Sequence, residues 1–140
     1  MASYNLNLVR VVERPEQYFP RKEIVSRNSD GSLFRYTYAD FCQRVRRLAS
    51  ALKTIGVEAG DKAATLAWNT HHHLELYFGI PCAGSVLHTA NLRLSDEHIA
   101  YTMNHAQDKA VFFSPDLLET VEHLVPLLKT VTTYVILADT

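Results

Sequence analysis

The chain has 140 residues, 47% of them apolar, and a formal net charge of −1. That length is about one domain, and the apolar share supports a packed core rather than disorder. The balanced charge argues against a sequence-independent grip on nucleic acid, no apolar run approaches the roughly 20 residues of a membrane span, and the first residues lack a signal-peptide core.

Residues 1–22 read as an irregular segment punctuated by Pro15 and Pro20. The β-rich runs EIVSR and LFRYT follow, with turn chemistry between them from Asn28 to Ser32, and so predict a hairpin. Thr37 is placed to cap a helix, with Asp40 three residues on in capping-box position. Phe41, Val45, Leu48, Leu52 and Ile55 recur at helical spacing, and Gly56 closes the stripe. Arg44, Arg46 and Arg47 read as the solvated face of that helix.

From Lys62 onward four short apolar runs alternate with three segments of helical spacing. The pattern predicts parallel strands at 62–67, 85–90, 110–114 and 133–137. Helices are predicted at 38–55, 71–82, 96–106 and 116–129, with Pro81 and Pro126 as breakers. The fold class is therefore α/β: a parallel β-α-β-α-β-α-β sheet with flanking helices, preceded by a hairpin and a helix. The final apolar strand reaches almost to the last residue, where a complete domain would add cover. The chain accordingly reads as an incomplete, amino-terminal piece of a larger domain. Cys42 and Cys82 stand apart in apolar settings without a CxxC, which suits buried free thiols in a reducing cytoplasm.

Such sheets bind ligands beyond the carboxyl ends of their strands. Here those turns read WNTHHH, ANLRLSD and SPD. None is glycine-rich, and none carries a dinucleotide or Walker fingerprint. His71, His72 and His73 are consecutive, and consecutive helical residues point about 100° apart, so three in a row do not converge on one ion. They read as a solvated helix start. His98 and His105 lie about 10 Å apart along a helix axis, too far for one ion. His105 and Asp108 are close enough in sequence for a local hydrogen bond, and nothing resembles a nucleophile elbow. His88 sits toward a strand's carboxyl end, where open α/β sheets place functional groups, but it reads first as a satisfied structural histidine. Asn91 suits a turn or left-handed position, and Arg93 is placed to pair with Asp96 or Glu97. No residue of the chain is assigned a catalytic, cofactor-binding or metal-binding role.

Taken together, these residues resemble the amino-terminal region of AMP-forming acyl-CoA synthetases. Thr37-Tyr38, Gly56-Val57, Gly60-Asp61, Asn69, Glu75, Ala83-Gly84, Asn91-Leu92-Arg93-Leu94, Ala100-Tyr101 and Lys109 follow that family's order. The LHTAN form is most similar to the medium- and long-chain fatty-acid branch. The resemblance implies that residues 23–140 are the amino-terminal subdomain of an AMP-binding domain. The full enzyme would use ATP, Mg²⁺ and CoA to convert a fatty acid into its CoA thioester, releasing AMP and pyrophosphate, and would form a homodimer. The family's Ser/Thr/Gly-rich phosphate loop, ribose-binding Asp and adenylation Lys are absent from the chain. The isolated chain is therefore expected to be inactive, and a free-standing α/β interaction or dimerisation module is the alternative.

Overall fold

The computed structural model describes residues 7–28 and 30–138. The chain opens with helix α1, Leu8–Tyr18, which corrects the expectation of an irregular segment; its first six residues lie outside the described ones. The Asn7 side chain accepts from the Arg10 amide at 3.3 Å and caps the helix. Pro15 sits inside it, where a missing N–H normally breaks a helix. Tertiary contacts outweigh that penalty. Val12 is buried against Tyr36, Phe41, Cys42 and Val45. The Cys42 thiol donates to the Val12 carbonyl at 3.3 Å, and Arg46 grips Glu16 at 2.6 Å.

Strands β1 (Glu23–Arg27) and β2 (Leu33–Thr37) form the predicted antiparallel hairpin; Ser29 of its turn lies outside the described residues. Helix α2, Tyr38–Thr54, begins with a complete capping box between Thr37 and Asp40. It ends at Gly56, whose φ of 82° only glycine adopts without cost. There the Val57 amide reaches the Leu52 carbonyl at 2.9 Å and the Gly56 amide that of Lys53 at 3.1 Å, a Schellman closure. Phe41, Val45 and Leu52 of the predicted stripe are buried, whereas Ile55 at its end faces solvent.

The alternation then unfolds in order: β3 (Lys62–Leu66), α3 (His71–Cys82), β4 (Val86–Thr89), α4 (Asp96–Ala106), β5 (Ala110–Phe113), α5 (Leu118–Leu124) and β6 (Thr133–Ile136). All four strands are parallel, in the order β4-β3-β5-β6. The long helix predicted over 116–129 is instead three pieces. Tight 3₁₀ turns at Pro115–Leu117 and Val125–Leu127 flank α5. Pro126 has no N–H to carry the α ladder forward, so the helix stops at Leu124. No helix among the described residues is long and apolar enough to cross a membrane.

Both faces of the sheet are covered, as a parallel sheet requires. On one face Ala64, Leu66, Val111 and Phe113 pack with Ile99 and Met103 of α4 and Val121 and Leu124 of α5. On the other, Ala63, Ala110 and Phe112 pack with Leu52 of α2 and Leu76 and Ile80 of α3. A satellite core joins α1 and the hairpin to α2 and α3.

The α2–α3 contact depends on Gly79. A Cβ placed there would lie 2.5 Å from Leu48 Cδ2 and 2.9 Å from its Cγ. Gly79→Ala is therefore expected to lower unfolding free energy by about 1–2 kcal/mol in urea titration, despite alanine's better helix propensity. Leu48→Ala alone should cost about 2 kcal/mol. The double variant should lose less than the sum, because the clash disappears with Leu48. Strictly additive losses would show that these two side chains do not compete for space.

Candidate functional site

The carboxyl ends of β3, β5 and β6 open onto a cavity of about 320 Å³, whose walls include Asn28, Trp68, Thr70, His72, Ser114 and Asp116. The residues after each strand are tied together there. The Ser114 amide donates to Leu66 at 3.0 Å, and the Leu137 amide to Phe113 at 2.8 Å. The Trp68 amide donates to Ser114 Oγ at 3.1 Å, and its indole Nε1 to Asp116 Oδ2 at 2.7 Å. Nothing in the turn sequences WNTHHH and SPD signals this bond between Trp68 and Asp116 across 48 positions.

The turns after β3, β4 and β5 contain no glycine. An anion-binding helix start needs free amides. The first amide of α3, that of His71, already donates to Ser26 Oγ at 2.8 Å. The four glycines with positive φ lie elsewhere, at Gly31, Gly56, Gly60 and Gly84.

The three consecutive histidines are not a solvated helix start. His71 and His73 are buried, at 1% and 5% exposure, and His72 is half-buried. The His71 ring stacks on Phe34 of the hairpin with centroids 3.9 Å apart. His73 Nε2 lies 3.0 Å from Thr65 Oγ1 on β3. The two side chains point to different elements and clamp the start of α3 between hairpin and sheet. The reason lies in tertiary packing: α3 is buried on more than one side, so its first turn has little water to face.

The other candidates are dispersed. His98 lies 3.1 Å from Ser95 Oγ, and His105 stacks on the exposed Tyr101. Asp108 does not bond to His105; its Oδ2 meets His88 Nδ1 at 2.5 Å. Asn91 makes a turn through its own side chain, with Oδ1 accepting from the Arg93 amide at 3.0 Å, but it is not left-handed. Among the described residues Arg93 pairs with neither Asp96 nor Glu97; His123 lies 3.6 Å from Asp96 instead. Of the basic run on α2, Arg44 is half-buried and donates to the buried Glu75 at 2.7 Å, so the face is only partly solvated. The signal for that pair was a carboxylate between Leu74 and Leu76. Both cysteines are free; Cys42 is buried, Cys82 half-buried, and burial pushes both thiols up.

Several residues that carry the family resemblance meet at the other end of the sheet. Lys109 Nζ reaches Asp61 Oδ2 at 2.8 Å, and the same oxygen caps the Glu58 amide at 2.8 Å. Lys109 and that amide hold the Asp61 carboxyl below the usual carboxylate range. The Gly60 amide donates to the Gly84 carbonyl at 2.9 Å. These motifs hold strands in place and lie away from the ligand-binding edge of such a sheet.

Burial holds the His73 imidazole below its ordinary range. A depressed histidine adds stability that is complete above its unfolded value of about 6.5 and is lost as pH falls through its lower folded value. The chain's urea midpoint should therefore drop on acidification below about pH 6.5, and His73→Gln should flatten that response. An unchanged slope in the variant would show that other groups set it. The triple change of His71, His72 and His73 to alanine should lower stability, because it removes the clamp.

The AMP-binding enzyme family matches residues 12–140. A long-chain-fatty-acid–CoA ligase of Thermus thermophilus is 49% identical over 139 residues, covering 99% of this chain and 26% of that protein. A medium-chain-fatty-acid–CoA ligase of Ectopseudomonas oleovorans is 38% identical over 128 residues, covering 91% of this chain and 23% of that protein. The chain spans about a quarter of the length of the curated relatives it matches. The solved N-terminal domain of FACL13 from Mycobacterium tuberculosis superposes with a TM-score of 0.85 at 21% identity, over 94% of this chain and 34% of that one, a likeness of fold. With the strand order, the amino-end motifs and the match over nearly its whole length in agreement, the chain belongs to the AMP-binding enzyme family.

Proposed function

We propose that residues 23–140 are the amino-terminal subdomain of an AMP-forming fatty acyl-CoA synthetase, with a scaffolding role. The observation that carries this reading is the 49% identity to the Thermus fatty-acid ligase along 99% of the chain. The full enzyme would take a fatty acid, ATP with Mg²⁺, and CoA, and would release AMP and pyrophosphate. It would work in the cytoplasm, without nucleic acid, and as a homodimer.

The geometry supports a division of labour. Adenylation needs backbone donors, a cation and usually Mg²⁺ around a charged phosphoryl group. The turns beyond β3, β4 and β5 contain no glycine-rich loop. Nucleotide contacts therefore belong to the remainder of the enzyme, and this chain supplies a rigid sheet on which that remainder packs. No residue of the chain is assigned to catalysis, to a cofactor or to a metal.

The purified 140-residue chain should not exchange pyrophosphate into ATP in the presence of fatty acid. Joined to the continuation from its own gene, it should support that exchange and then form the CoA thioester. Exchange by the chain alone would overturn the division of labour. A joined protein that folds but stays silent with fatty acids of every length would overturn the substrate class. Analytical ultracentrifugation at micromolar concentration should show a dimer, and a monomer across the whole concentration range would remove the homodimer from this reading.

A further inference from the structure

His88 and Asp108 lie on parts of the sheet that are not neighbours. β4 and β5 flank β3 on opposite sides, and Asp108 stands two residues before β5 begins. Their side chains meet nonetheless, with Nδ1 and Oδ2 2.5 Å apart. Between them runs β3, where Ala64 is opposite His88 on one side and Val111 on the other. The small alanine side chain leaves room for the imidazole to cross.

Asp108 is fully buried, and its second oxygen, Oδ1, has no hydrogen-bond partner. The charged groups that face it are His88 from β4 and Lys62 from β3. The Met103 carbonyl at the end of α4 accepts from the Asp108 amide at 3.1 Å. The Thr130 hydroxyl, from the turn before β6, donates to the Asp108 carbonyl at 2.7 Å. A carboxylate so enclosed is costly unless a donor stays on it. Only His88 supplies one to the side chain among the described residues.

β4 has little else to hold it. The strand is four residues long, pairs along one edge only, and has no fully buried residue. Edge elements of this kind open locally, well below the cost of global unfolding.

We infer that His88 and Asp108 form a proton-sharing latch that pins edge strand β4, and with it the Asn91 turn, across β3 to the base of β5, and that rising pH loosens it. The two atoms lie within hydrogen-bond distance of each other, across the strand between them. Burial holds the Asp108 carboxyl above its ordinary range, with His88 and Lys62 pulling the other way. A carboxyl held above its unfolded value contributes stability that is complete at low pH and is lost as pH rises through the folded titration. Once Asp108 loses its proton, a buried carboxylate remains whose Oδ1 has no donor among the described residues.

Amide hydrogen exchange on the 140-residue chain tests this, with rates corrected for intrinsic base catalysis. As pH rises from about 4, near the ordinary carboxylate value, to about 8, protection of the β4 amides should fall about tenfold, while β3 and β5 stay protected. Asp108→Asn, which is neutral and of the same shape, should abolish that pH response. His88→Leu should leave β4 less protected than wild type across the range. Should His88→Leu fail to fold, the wild-type and Asp108→Asn series decide the matter by themselves. Protection of β4 that does not change with pH in the wild type, or a pH response that persists in Asp108→Asn, would overturn the latch.

Discussion

The burial of β3 on both faces is the constraint on which the rest of the structure depends. Its residues Ala63, Ala64, Thr65 and Leu66 are at most 1% exposed. A strand hidden on two sides must be hydrogen-bonded along both edges and covered by helices above and below. β4 and β5 fill the edges; α2 and α3 cover one face and α4 and α5 the other. Two alanines at the centre also set the scale of the layers, because short side chains let large ones on the helices reach the sheet. Leu52, Leu76 and Ile80 do so on one side, and Ile99, Met103 and Leu124 on the other, all at 1% exposure or less.

The polar contacts divide between the two ends of the sheet. At the amino end Lys109, Asp61, Gly60 and Gly84 join consecutive crossovers through one ion pair and one backbone bond. At the carboxyl end Trp68, Ser114 and Asp116 join the turns after β3 and β5. Both sets tie the segments flanking the strands to one another at the two ends of the sheet.

Buried polar groups recur wherever two layers meet. Glu75 is answered by Arg44, His73 by Thr65, the His71 amide by Ser26, and Asp108 by His88. Three of the four pairs join segments 20 or more residues apart, and His73 with Thr65 joins consecutive elements. Apolar contacts tolerate small slides, whereas a hydrogen bond between fixed groups does not. These pairs therefore fix the register in which hairpin, helices and sheet come together.

Periodicity along the chain determined the elements. Alternating apolar runs and helical spacing placed all four parallel strands, α2 and α4, because local burial patterns repeat every 2 or 3.6 residues and leave a trace in order. Thr37 with Asp40, and Gly56, marked both ends of α2, since caps are local chemistry. The order of Gly60-Asp61, Ala83-Gly84 and Lys109 was legible too, as was the family they indicate. What the tertiary structure alone decided was every partnership across distance. Helix α1 survives Pro15 because Val12 finds a core and Glu16 finds Arg46. The histidines at the start of α3 turned out to be buried clamps because the hairpin folds over them. Asp108 chose His88 over His105 because the chain reverses between α4 and β5. Local patterns record which face of an element is buried, but they carry no record of what lies against it.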